Sequence, residues 1–150
     1  MQLSSLLQSL VATGDTFAAT ALRLALGLMI LPHGLQKTFG WFGGYGFKGT
    51  MGYLTGTVGA PWVFALLAIL AESIGAIMLL TGFGTRVAAL GLGGVMVVAA
   101  LQHRANGFFM NWTGAQKGEG IEFHLLALGM IVALLILGGG KWSVDALFNR

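Results

Sequence analysis

The sequence has no cysteine, which excludes disulfides, thiolate catalysis, thiolate-held iron–sulfur clusters and cysteine-ligated zinc. Any redox role therefore falls to a bound cofactor, a quinone or a partner subunit. Charge is scarce too: 9% of the 150 residues are charged, against roughly 25% in soluble domains. Eight basic and five acidic side chains are too few to cover a soluble globule, but enough to cap helices buried in lipid. The basic residues stand singly with no basic stripe, which argues against nucleic acid as a partner. No phosphate-binding loop, G-x-S-x-G or H-E-x-x-H pattern occurs. The first fifteen residues have no basic segment and no A-x-A site, so they read as retained rather than as a signal peptide.

Apolar residues make up 56% of the chain, and 25 glycines are spread through the apolar runs. Glycine is common there because it lets helix backbones approach closely. Four runs are long enough to cross a bilayer core of about 30 Å, which takes about 20 helical residues: 16–37, 61–81, 85–103 and 121–137. The fold class expected is an all-α, integral-membrane four-helix bundle in one domain, 1–150. Pro61 suits a first helical turn, and Gly82-Phe83-Gly84 permits only a tight hairpin between the second and third spans. Pro32 should do no more than kink the end of the first span.

An even number of spans puts both termini on one side and the two long links on the other. In the 38–60 link, Phe47, Met51, Leu54 and Val58 recur at helical spacing and predict a short interfacial helix. Leu3, Leu6, Leu7, Leu10 and Val11 predict another at the N-terminus. At the C-terminus, Ser143 should cap a last short helix over 144–148. Lys37, Lys48, Arg104 and Lys117 on the link side against Arg86, Lys141 and Arg150 on the termini side do not decide orientation.

Two ionisable residues fall well inside spans, Arg23 and Glu72. Each costs on the order of 2.5–3.5 kcal/mol at a helix centre. If Lys37 and Pro61 mark one membrane face, Arg23 lies about 21 Å and Glu72 about 16 Å below it. Small residues flank both: Ala19, Gly27 and Gly34 around Arg23, and Ala65, Ala68, Gly75 and Ala76 around Glu72. The two are expected to meet as a buried intramembrane pair, either a structural register pin or a proton-handling or ligand site.

Polar residues gather at the link end of the spans: His33, Gln36 and Lys37, then Gln102, His103 and Arg104, then Glu119, Glu122 and His124. Imidazole and carboxylate together invite a metal, but Glu122 and His124 are about 200° apart on a helix. Glu122 shares a face with Gly129 and Ala133, expected to look inward, and His124 then points elsewhere. No metal site is assigned. The expected ligand pocket is a polar mouth of His33, Gln36, Lys37, His103 and Glu122, suited to a small polar head group such as a quinone ring.

The order of these features resembles the DoxX family of small bacterial inner-membrane proteins. The matching residues are Arg23-x-x-x-Gly27, His33-Gly34-Leu35-Gln36-Lys37, Phe39-Gly40, Gly49-Thr50, Gly59-Ala60-Pro61 and Glu72-Ser73-x-Gly75. They continue through Leu79-Leu80-Thr81-Gly82-Phe83-Gly84-Thr85-Arg86, His103, Gly107-Phe108-Phe109 and Gly118-x-Gly120-x-Glu122 to Gly138-x-Gly140-Lys141-Trp142-Ser143-x-Asp145. Gly139 departs from the family's frequent proline in that last turn. The resemblance implies a four-span bundle in the bacterial inner (plasma) membrane. Relatives are tied to a thiosulfate:quinone oxidoreductase subunit and to oxidative-stress complexes, which favours a quinone-linked redox subunit with partner proteins. No residue here supports thiosulfate oxidation, and no catalytic residue follows from the resemblance.

Three functions remain open. The first is a redox-associated subunit that binds a quinone-like ligand in the bundle, with Glu72 or a histidine as proton donor. The second is a non-catalytic membrane scaffold. Small-solute transport is third, because four short spans leave little room for alternating access unless the chain forms a homo-oligomer.

Overall fold

The computed structural model describes residues 2–148. Among them the helices are α1 (Gln2–Val11), α2 (Phe17–Phe39), α3 (Gly46–Gly52), α4 (Trp62–Thr81), α5 (Thr85–His103), α6 (Glu122–Leu137) and α7 (Val144–Leu147). The four expected spans are α2, α4, α5 and α6. Each is hydrophobic all round, as a helix must be when one side meets protein and the other meets lipid. Leu26, Ile30, Leu79, Leu92, Met96, Ile131 and Leu134 fill the centre. Leu28, Phe64, Leu90, Leu126 and Ile136 stand exposed on the outside. Helices α2, α4 and α5 are long and apolar enough to cross a membrane. Helix α6 is a shorter apolar helix of 16 residues, about 24 Å of rise.

The spans form a closed ring in which α2 packs on α4, α4 on α5, α5 on α6, and α6 back on α2. The tightest crossing is α2 on α4. A Cβ at Gly34 would overlap the Glu72 carbonyl and the Ser73 Cα, so only glycine lets the two backbones approach this closely. Beside it, Ser73 Oγ donates to Ile69 O at 2.6 Å, the internal bond that satisfies a hydroxyl within a membrane helix.

The interfacial pieces lie where the pattern puts them. Helix α3 runs on into a π-helical turn, Tyr53–Thr57. Met51 packs with Ala65 and Ile69 of α4, with Leu54 against them. Of the N-terminal stripe, Leu7 and Leu10 are exposed, while the side chains of Leu3 and Leu6, like Arg150, lie outside the described residues. Arg86 donates to the carbonyls of Ser9 and Ile136, tying α1 and the end of α6 to the first turn of α5. The segments before α2 and after α6 come together: Gly14 N–H donates to Leu137 O at 3.1 Å and Lys141 N–H to Thr16 O at 3.2 Å. Ser143 caps α7 by accepting from Ala146 N–H at 3.1 Å.

Replacing Gly34 with Val should cost about 1–3 kcal/mol, the usual penalty of overpacking, read as a lower unfolding temperature in detergent. Gly129→Ala, where an added methyl meets open space, should leave stability unchanged or raise it by roughly 0.5–1 kcal/mol through helix propensity.

Candidate functional site

Arg23 and Glu72 are both buried, at 2% and 5% exposure, but they do not form a pair. The Gly34 crossing sets Glu72 level with Gly34, eleven residues or about 16 Å along α2 from Arg23. The expectation of a pair took Lys37 and Pro61 as one plane. In the folded protein α4 begins well beyond the end of α2, with α3 packed beside its first turns, and that offset separates the two charges.

Glu72 is held instead by Lys37, whose Nζ lies 2.5 Å from Oε2. The lysine is one helical turn past Gly34, so the glycine that permits the crossing also lets the ammonium reach the carboxylate. Arg23 turns toward the termini end. Its Nε donates to Gly139 O at 2.8 Å and Nη2 to Trp142 O at 2.8 Å. Nη1 donates to Leu79 O at 3.0 Å and Leu80 O at 2.7 Å. The last turn of α4 leaves carbonyls without helical partners and carries the negative end of the helix dipole. A guanidinium is the group best suited to collect them.

Around Arg23 the glycine-rich turns of the chain close into one knot. Asp145, 1% exposed, accepts from Gly84 N–H at 2.7 Å and Thr85 N–H at 2.9 Å. A carboxylate is favoured at that helix start, where α5 presents free N–H groups. Gly82 has φ +70° and faces both Ser143 and the Arg23 guanidinium, with no room for a Cβ. Thr20 Oγ1 donates to Lys141 O at 2.5 Å.

The polar residues of the link end divide into three groups rather than forming one mouth. Lys37 and Glu72 open on a groove of about 750 Å³ between α4 and α5, whose walls include Phe64, Leu67, Ile74, Leu90 and Val98, with Gln102 as a further polar residue. The groove exists because Ala68, Ala71, Gly75, Gly91 and Gly94 leave space between the two helices. His33, within electrostatic reach of Lys37 and Glu72, and His103 do not line the groove. His33 lies 6.1 Å from the Phe123 ring, Phe123 is 5.6 Å from His124, and His124 stacks on His103 at 5.3 Å. Gln36 and Glu122 tie loops: Gln36 Nε2 donates to Phe42 O at 3.2 Å, and Glu122 Oε2 accepts from Met110 N–H at 3.1 Å.

The assignment of faces on α6 is thereby reversed. His124 is buried with Ala127, Ile131 and Leu134, while Gly129 is exposed. Larger apolar residues at that spacing outweigh a stripe of small ones. Among the described residues, no three His, Asp or Glu side chains converge as metal ligands would. Sequence reasoning missed the Lys37–Glu72 pair, the inward His124 and the anchoring by Asp145. For Asp145 the signal was present, a lone acid two residues after a capping serine.

Arg23→Leu should cost at least about 3 kcal/mol, since it strands several buried carbonyls, and Arg23→Lys should not restore it, because one ammonium cannot span four acceptors. Thermal unfolding in detergent checks both. Among the described residues, His124 Nδ1 is buried without a hydrogen-bond partner. His124→Phe should therefore be neutral or stabilising by up to about 1 kcal/mol.

Residues 18–112 match the DoxX family. The chain is 31% identical over 113 residues to the inner membrane protein YqjF of Escherichia coli (strain K12), covering 75% of this chain and 82% of that protein. No solved structure matches. With apolar helices of spanning length in a closed bundle, and a match over most of its length, this multi-pass inner-membrane protein belongs to the DoxX family.

Proposed function

We propose that the protein binds a small amphipathic, quinone-like molecule in the groove between α4 and α5 and serves as the membrane subunit of a redox complex with partner proteins. The observation that carries this reading is the groove itself. Its volume of about 750 Å³ lies within the range of ligand sites. Its walls are apolar, and its polar groups are few: Lys37, Glu72 and Gln102. An isoprenoid or acyl tail fits between the exposed faces of α4 and α5, where lipid-soluble molecules have lateral access. The ammonium of Lys37 has two protons left after its bond to Glu72, and the Gln102 amide has two more, so carbonyl oxygens of a ring are matched by donors. Because Lys37 and Glu72 neutralise each other, the site presents a proton-bearing group in lipid without net charge. In this reading two electrons come from a partner subunit and two protons pass in turn through the Lys37–Glu72 pair, which is reprotonated from the aqueous face through the part-exposed Lys37, and not through the histidines, which lie off the groove.

The scaffold reading is favoured by a different observation. Arg23 and Gly82, both within the residues that match the family, and Asp145 hold helix ends together and do not face the groove.

Purification in mild detergent, followed by solvent extraction and native mass spectrometry, separates the two. The expected result is a stoichiometric, extractable molecule with a polar ring and an apolar tail. Its occupancy should fall about tenfold or more in Lys37→Met, as loss of the one charged hydrogen bond to the ring predicts. Gly94→Leu should abolish it without unfolding the protein, since a side chain there meets open space. Bulk phospholipid alone, unchanged by Gly94→Leu, would put the scaffold reading first.

A further inference from the structure

A second cavity, of about 420 Å³, lies at the opposite end of the bundle, where α2 begins and the chain returns after α6. Thr13, Asp15, Phe17, Lys141 and Trp142 are among its lining residues. It sits at the level of the span ends, which is the level of lipid headgroups, and its aromatic side chains are of the kind that concentrates there. Phe17 and Trp142 meet edge to face at 5.1 Å and are 56% and 80% exposed. Lys141 Nζ stands 4.7 Å from the centre of the Phe17 ring and 3.5 Å from Asp15 Oδ2.

That separation is longer than the roughly 2.7–2.9 Å of a charge-assisted hydrogen bond. Both side chains are open to solvent, so the cation and the anion each keep hydrogen-bonding capacity for something else. The frame that carries them is rigid. Lys141 N–H and C=O are both bonded, to Thr16 O and Thr20 Oγ1. Trp142 holds φ +56°, a backbone conformation uncommon for a residue with a side chain, and its carbonyl is fixed by Arg23 at 2.8 Å. The indole is thus presented outward on a loop whose backbone is tied to the buried knot.

We infer that this cavity binds the headgroup of a zwitterionic phospholipid of the phosphoethanolamine type. The lysine ammonium takes the phosphate. The Asp15 carboxylate takes the primary ammonium two carbons away, against the faces of Phe17 and Trp142. An anionic headgroup without an ammonium leaves Asp15 facing negative charge, and a choline headgroup has no N–H to donate to the carboxylate. The site is independent of the groove between α4 and α5 and of any ligand there.

The test is native mass spectrometry of the full chain in detergent, offered phosphatidylethanolamine, phosphatidylglycerol and phosphatidylcholine of equal chain length. Phosphatidylethanolamine should be retained about tenfold over phosphatidylglycerol, from the one ion contact and the one cation–π contact that a glycerol headgroup lacks, the phosphate contact to Lys141 being common to both. The double variant Asp15→Asn, Lys141→Gln should lose that preference with its unfolding temperature little changed, because Asp15 is exposed and the Lys141 side chain is part-exposed. Equal retention of the three lipids by the wild type, or a preference that survives the double variant, would overturn the assignment. So would soluble O-phosphoethanolamine binding as tightly as the lipid.

Discussion

The guanidinium of Arg23 is the interaction on which the rest of the bundle depends. It gathers carbonyls from the end of α4 and from the return after α6, segments far apart in sequence. In a bilayer these oxygens have no water to turn to, and each one left alone costs several kcal/mol. An arginine inside a membrane helix is costly as well. The two costs offset each other when the fork meets several acceptors at once, and that explains why the charge is tolerated. Asp145, buried in the same knot, lies within electrostatic reach of the guanidinium and caps the start of α5.

The bundle is therefore consolidated at one end and open at the other. Near the termini, α1, the α4–α5 hairpin, α6 and α7 are bound together by Arg23, Arg86, Ser143 and Asp145. Toward the links, α2 and α4 meet at Gly34, but α4 and α5 part around small residues to leave the groove beside Lys37 and Glu72. A membrane protein with one rigid end can keep an unfilled space at the other without losing its fold. The three histidines, by contrast, line a row of rings around Phe123 between α2, α5 and α6, and His33 and His103 do not share the groove.

How far the sequence could be read differs sharply between fold and site. The four spans, the Gly82 turn, the link helix and the Ser143 cap were all legible, because each depends on residues close together in the chain. So was the burial of Arg23 and Glu72, since their small-residue flanks mark packed faces. Their pairing was not legible. A depth counted from Lys37 and Pro61 assumes a common plane, and α3 packed on the start of α4 removes it. The facing of α6 misled for a related reason: a helix apolar on every side has no polar face from which to read its rotation.

By itself, then, the sequence determined that this protein is a small helical membrane bundle, how many spans it has and which side chains are too costly to leave in lipid. Those are consequences of local hydrophobicity and of backbone hydrogen bonding, which act within a single segment. Only the tertiary structure decided which charge meets which partner: Lys37 with Glu72, and Arg23 with the carbonyls of two distant turns. The physical reason is the relative register of α2 and α4, which is set by the close approach at Gly34 and is a property of two helices together rather than of either one.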